Sequence, residues 1–317
     1  MTRPLDARAS GPLAVVTRSG FPESVHLGAA VLMDADGVEL HRIGDPARLV
    51  YPRSALKPFQ TVAARRAGAR FSDEQSVVVS SSHTGTPRHI GLVREVLAAA
   101  GLDESALRTP ESWPSSAEAA RDRVREGLGP ARIAMNCSGN HAGMLAGSVA
   151  AGWPVDDYLD PAHPIHALAA TAIAEYGRAR PAHQGVDGCG GPVWAIPLTA
   201  LADGYRRLFA DDPTLAAAVR ASPDLIEGPG TPTTRAVATL DVVAKAGAEG
   251  VFAAVARNGT AVAVKVLDGS ARAAAAVAVA LLAAGDAVDG EAAEAFLDDP
   301  ALAVTGGGAP VGRIRVL

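Results

Sequence analysis

Over the first fifty residues, apolar and polar positions follow strand-like patterns. Residues 13–17, 25–33 and 38–43 each read as a strand, and Asp34-Ala35-Asp36-Gly37 between the last two is a hairpin-turn sequence. The period then changes. Leu56, Phe59, Val62 and Ala63 fall on one face of a helix starting near Ser54, and Ile90, Val93, Val96 and Leu97 mark another. Between them, residues 77–79 read as a short buried strand, which puts Ser80 to Gly85 in a strand-to-helix loop. Helices are expected over 117–125, 141–150, 166–176, 197–209 and 234–245, separated by Gly- and Pro-rich loops. Near the end, strands 251–256 and 260–267 flank the hairpin signal Arg257-Asn258-Gly259, an alanine-rich helix covers 270–284, and 304–308 reads as a turn. Strands at both ends with helices between them predict an α+β fold, its antiparallel sheet built from N- and C-terminal strands. No linker composition or charge block divides the chain, so 1–317 is expected to be a single domain.

Composition narrows the function. A hydrophobic content of 48% with 20% charged residues suits a globular chain with a large core. The net charge is −5 without a cluster of Lys and Arg, so neither nucleic acid nor a membrane surface is an expected partner. Residues 1–19 contain no secretory apolar region, and the longest apolar run, 273–284, is shorter than the roughly 20 residues that span a bilayer. A cytoplasmic location is expected.

Candidate chemistry centres on serine, lysine and cysteine. Ser54-Ala55-Leu56-Lys57 places an amine one turn from a hydroxyl, and a lysine whose proton affinity is lowered by burial or nearby cations can activate a serine. The plain alternative is a helix cap beside an exposed lysine. Lys265, inside the apolar run 261–266, needs either a partner or the solvent side of an edge strand; Ser82 and His83 are candidate partners, or an ordinary capping loop. Cys137 and Cys189 both sit in polar, turn-forming segments, with His141 close to the first. Such cysteines suit a metal, a reactive thiol or a redox pair as well as a purely structural role.

Taken in order, Arg53-Ser54-x-x-Lys57-Pro58, Ser82-His83, Asn136-Cys137-Ser138-Gly139-x-His141, Val186-Asp187-Gly188-Cys189 and Lys265-x-x-Asp268-Gly269 resemble the class 3 L-asparaginases, the asparaginase II family, over most of the chain. The resemblance implies a serine β-lactamase/glutaminase-like fold, a homodimer, a small-molecule substrate (L-asparagine), two Ser-Lys pairs and a nearby zinc. Carried over, the pairs are Ser54 with Lys57 and Ser82 with Lys265, the zinc ligands are Cys137 and Cys189, and Arg53, His83, Asp187, Asn140 and His141 contact substrate. Ser54 then attacks the side-chain amide, Lys57 takes its proton, the Ser82-Lys265 pair relays it to departing ammonia, and Asp187 pairs with the α-ammonium. Asn140 stands where the family places a lysine zinc ligand, so zinc is expected to bind weakly or not at all, and no cofactor is required. Two alternatives are another Ser-Lys amide hydrolase, a glutaminase or β-lactamase-like enzyme, and a non-catalytic binding homologue. For the β-lactamase type, no Ser-Asp-Asn or Lys-Thr-Gly completes the signature.

Overall fold

A computed structural model describes residues 3–317 of the chain. Its strands in chain order are β1 (Gly11–Arg18), β2 (Phe21–Met33), β3 (Glu39–Ile43), β4 (Leu49–Val50), β5 (His183–Val186), β6 (Pro192–Pro197), β7 (Val242–Gly247), β8 (Val251–Ala256), β9 (Ala261–Val266), β10 (Val304–Gly306), β11 (Ala309–Gly312) and β12 (Ile314–Val316). The main antiparallel sheet runs β12-β1-β2-β9-β8-β7, with β3 also paired to β2. The fold is therefore α+β, with N- and C-terminal strands in one sheet, as the pattern predicts.

Local chemistry explains the joints of this sheet. Asp34 Oδ1 accepts from the N–H groups of Asp36 and Val38, closing the β2–β3 turn. Gly259, at φ +88°, closes the β8–β9 hairpin. The strands β8 and β9 read as nearly continuous apolar runs because both faces are covered. Helix Leu198–Asp211 lies on one face and helix Ala271–Ala284 on the other.

Residues 304–306 form β10, paired with β11, so the expected turn over 304–308 narrows to Gly307-Gly308; two further differences from the sequence reading matter for the site. Residues 77–79 form no strand; they belong to helix Asp73–Ser80. Its start is a capping box in which Ser72 Oγ accepts from Gln75 N and Gln75 Oε1 accepts from Ser72 N. A three-residue apolar run fits either element, and the box at Ser72 decides it. The helix expected over 234–245 is Pro232–Leu240, ended by Asp241 at φ +52°. Val242 onwards pairs with β8 as the edge strand β7, in register Lys245 opposite Ala253.

A helical layer comprising Lys57–Arg66, Asp73–Ser80, Pro87–Ala99, Ser138–Ala150 and Pro164–Gly177 packs on itself beside the sheet. Gly139 allows close contact there, since a Cβ at that position would lie 2.3 Å from Val78 O. No helix among the described residues is long and apolar enough to cross a membrane.

Candidate active site

Where the helical layer meets the sheet, four chain segments converge. The short 3₁₀ turn Arg53–Leu56 carries Ser54 and runs into helix Lys57–Arg66, whose first residue is Lys57. Ser82 follows helix Asp73–Ser80, so its loop joins two helices rather than a strand and a helix. Cys137 sits at the start of helix Ser138–Ala150. From the sheet comes β7, held close to the turn because a Cβ on Gly247 would lie 2.1 Å from Pro52 O.

Ser82 is the hub. Lys57 Nζ lies 3.0 Å from its Oγ and Lys245 Nζ 2.8 Å from it. Lys57 Nζ also donates to Ser81 O at 2.6 Å and to Cys137 Sγ at 3.1 Å. Lys245 Nζ donates in addition to Ala246 O at 2.7 Å. Lys245 is 1% exposed. Burial, with Lys57 close by, lowers its pKa to about 7.

The lysine that reaches Ser82 from the sheet is thus Lys245, whereas Lys265 points its Nζ at Glu249 O and is only half-buried. Lys265 belongs to β9, two strands away from β7, which is why the expected Ser82-Lys265 pair does not form. A cation in an apolar run, the feature that marks Lys265, recurs in Val242-Val243-Ala244-Lys245-Ala246, where the helix expected over 234–245 obscures it. Lys245-Ala246-Gly247 also differs at one residue from the Lys-Thr-Gly of serine hydrolases.

Ser54 and Lys57 line a small enclosed pocket with Arg53, Gln60, Asn140 and Asp187. Ser54 makes no side-chain cap to the helix, and the Nζ of Lys57 reaches Ser82 instead of Ser54. Arg53, at the left-handed φ of +55°, sets the turn and holds Asp187 through Nε at 2.7 Å and Nη2 at 2.5 Å. The ion pair raises the Arg53 pKa.

His83 and His141 are fully buried beneath the site. His83 shares its Nε2 with Ser138 Oγ at 2.9 Å, and burial drives its pKa well below the ordinary value, so it is neutral. His141 Nδ1 meets Tyr158 OH at 2.8 Å, and burial lowers its pKa to about 3. Their place is in the packing under Ser82 and Cys137.

Cys137 and Cys189 are both buried and free, and Cys137 Sγ accepts from Lys57 Nζ at 3.1 Å and lies 3.2 Å from Asn136 Oδ1. The neighbouring Cys189 side chain and Lys57 lower the pKa of Cys137, and the neighbouring Cys137 and burial push Cys189 up. The donors do not fit the zinc that the resemblance implies. Asn140 gives its amide nitrogen to Val79 O at 3.2 Å, and among the described residues no three His, Cys, Asp or Glu side chains converge as a metal-holding group.

Comparison with known proteins adds a family. The model of the L-asparaginase II family matches residues 14–316. No curated protein matches at a significant level. Among solved structures, the chain is similar to a β-lactamase from Mycobacterium bovis, with 16% identity and a TM-score of 0.38 over 81% of this chain and 94% of that one. It is also similar to Mglu in its glutamate form, with 12% identity and a TM-score of 0.37 over 87% of this chain and 63% of that one. Both likenesses are too distant to carry a reading of the chemistry.

Proposed function

The chain belongs to the L-asparaginase II family, and from that premise we propose that it is an amidohydrolase that releases ammonia from the side chain of L-asparagine through a serine ester. The observation that carries the reading is Ser82 Oγ, bonded on one side by Lys57 Nζ and on the other by Lys245 Nζ. A hydroxyl between two amines passes protons, because it accepts from one while donating to the other.

Ser54, unbonded in the pocket wall beside Lys57, is the nucleophile. Ser82 first hands its proton to neutral Lys245 and takes one from Lys57, and the neutral Lys57 amine so formed turns to Ser54 and accepts its proton as Ser54 attacks the amide carbon. The terminal acceptor is Lys245, whose pKa of about 7 leaves a substantial neutral fraction at neutral pH. Reversal of the relay protonates the leaving nitrogen. Water then attacks the ester by the same route, which frees aspartate and Ser54. Lys57 ends each step with the protons it began with, which suits an amine whose three donors already have acceptors in Ser81 O, Ser82 Oγ and Cys137 Sγ. No step runs through a metal.

Ammonia release from asparagine and from glutamine, set beside opening of a chromogenic β-lactam, tests the reaction class. Intact-mass detection of an acyl adduct in wild-type protein and in Ser54→Ala and Ser82→Ala variants tests the nucleophile. Opening of the β-lactam without release of ammonia would overturn the proposal. An adduct that survives in Ser54→Ala would move the nucleophile to Ser82.

A further inference from the structure

The backbone carbonyl that follows Ser54 is held from far along the chain. Tyr205, on helix Leu198–Asp211, donates its phenolic hydrogen to Ala55 O at 2.8 Å across 150 positions of sequence. Its ring is fully buried and stands edge-on to Phe59 at 5.9 Å and to Phe209 at 5.5 Å. Burial raises the Tyr205 pKa well above the ordinary value, so the phenol stays neutral and keeps its proton to donate.

The turn needs that outside donor. Within Arg53–Leu56, Ala55 N donates to Pro52 O at 3.2 Å and Lys57 N closes the end on Ser54 O. Continuing the same spacing, the donor for Ala55 O would be the backbone N–H of residue 58, and Pro58 has none. Arg53 adds a left-handed φ of +55°, a conformation that persists only where its surroundings hold it. Without the phenol, the buried Ala55 carbonyl must find another partner, and the turn shifts to reach it.

We infer that Tyr205 is a positioning residue: by holding Ala55 O, it fixes the turn that presents Ser54 Oγ to Lys57 and to the substrate. The phenol touches none of the reacting atoms and acts through Ser54. Its effect on turnover rests on the amidohydrolase reading, whereas its effect on the reactivity of Ser54 does not.

The test is Tyr205→Phe, which keeps the ring and removes one oxygen, with melting curves to verify folding. Wild type and variant are compared in asparagine kinetics across pH and in labelling by diisopropyl fluorophosphate, mapped by peptide mass. In the labelling step Ser54 Oγ bonds to phosphorus, the P–F bond breaks, fluoride leaves and the hydroxyl proton passes to the neutral Lys57 amine. Tyr205→Phe is expected to label Ser54 and to turn over asparagine roughly 10-fold to 100-fold more slowly, since a displacement of about 1 Å suffices for that. The loss falls on kcat, with KM within about twofold of wild type. The ascending pH limb near 7, which belongs to Lys245, stays in place. Equal rates in the two proteins, a limb that moves with the rate, or a wild type that takes no label on Ser54 overturns the role. Slower labelling of Ser54 in a protein that releases no ammonia sinks the amidohydrolase reading and keeps the positioning role. Should Tyr205→Phe fail to fold, Pro58→Ala is added to it, which offers Ala55 O a backbone N–H. That double variant is expected to label Ser54 within several-fold of wild type, and a folded double variant that labels far more slowly overturns the role.

Discussion

Lys245 Nζ lies 2.8 Å from Ser82 Oγ across 163 positions of sequence, joining the edge strand β7 to a loop of the helical layer. Neither residue makes sense alone. A lysine 1% exposed needs a partner that justifies its burial, and a serine bonded by two lysines needs somewhere to send a proton.

Lysine replacement separates this assignment from the one the sequence suggested. Lys245→Ala is expected to lower kcat by about 100-fold to 10,000-fold, the range for losing a proton-transfer group. Lys265→Ala, whose Nζ serves only Glu249 O, is expected to stay within several-fold of wild type. Ammonia release measured on both variants checks this, and the reverse order of effects would restore Lys265.

Activity depends on pH through the same amine. Burial lowers the Lys245 pKa from the ordinary lysine range to about 7, so the neutral, proton-accepting form dominates above that pH and the cation below it. The kcat/KM profile for asparagine is expected to rise by about tenfold per pH unit below 7 and to flatten above it. An ascending limb near pH 10 would show that the terminal base is an unperturbed lysine.

Stability moves the opposite way from activity at this residue. The folded-state pKa of Lys245 lies below the unfolded value, so between about 7 and 10.5 the unfolded chain binds the extra proton and folding is penalised. That penalty is complete below pH 7 and fades as the pH climbs towards 10.5. Lys245→Met is therefore expected to be inactive yet more stable at pH 7, by about 1–4 kcal/mol, with the gain shrinking at pH 10. Urea unfolding at the two pH values measures it.

Four buried histidines set the acid limit. Burial lowers the pKa of His89 and His166 to about 4, of His141 to about 3, and of His83 well below its ordinary value. Each is neutral when folded and takes up a proton on unfolding, so stability is full above pH 6.5 and is lost as the pH falls towards the folded values. Independent titration gives a loss of roughly 4 kcal/mol between pH 6.5 and 5.5. Denaturant midpoints across that interval should fall steeply. Flat midpoints would mean that these rings are charged in the native state.

The metal question has its own assay. With Asn140 bonded to Val79 O and only two sulfurs together, protein purified without added metal is expected to carry well below one zinc per chain, and Asn140→Lys to carry more. Elemental analysis of both decides it, and near-stoichiometric zinc in the unaltered protein would contradict the expectation.

Much of this architecture is legible in the sequence because it is local. The Asp34–Gly37 and Arg257–Gly259 turns announce their hairpins, and helix Ala117–Arg125 has the expected bounds. The Ser54, Lys57 and Ser82 segments are visible through residue type and family resemblance. What escapes is long-range or ambiguous. Lys245 was hidden because Val242 to Lys245 extends the preceding helical pattern, and only Asp241 in the left-handed region, with pairing to β8, breaks it. Tyr205 has no local signal at all; its hold on Ala55 O joins segments 150 positions apart.

The seams at Gly139 and Gly247 put the alignment of the site in the hands of two missing methyl groups. One seats the helix headed by Cys137 against the backbone of the helix that leads to Ser82; the other seats the Lys245 strand against the backbone just before Ser54. Alanine at either glycine would leave every reactive group in the sequence and most of the core intact while prying one half of the relay from the other. A shift of about 1 Å can cost a hundredfold in rate. The throttle on this molecule thus lies in how closely its layers nest, where selection can adjust turnover without altering a single participating side chain.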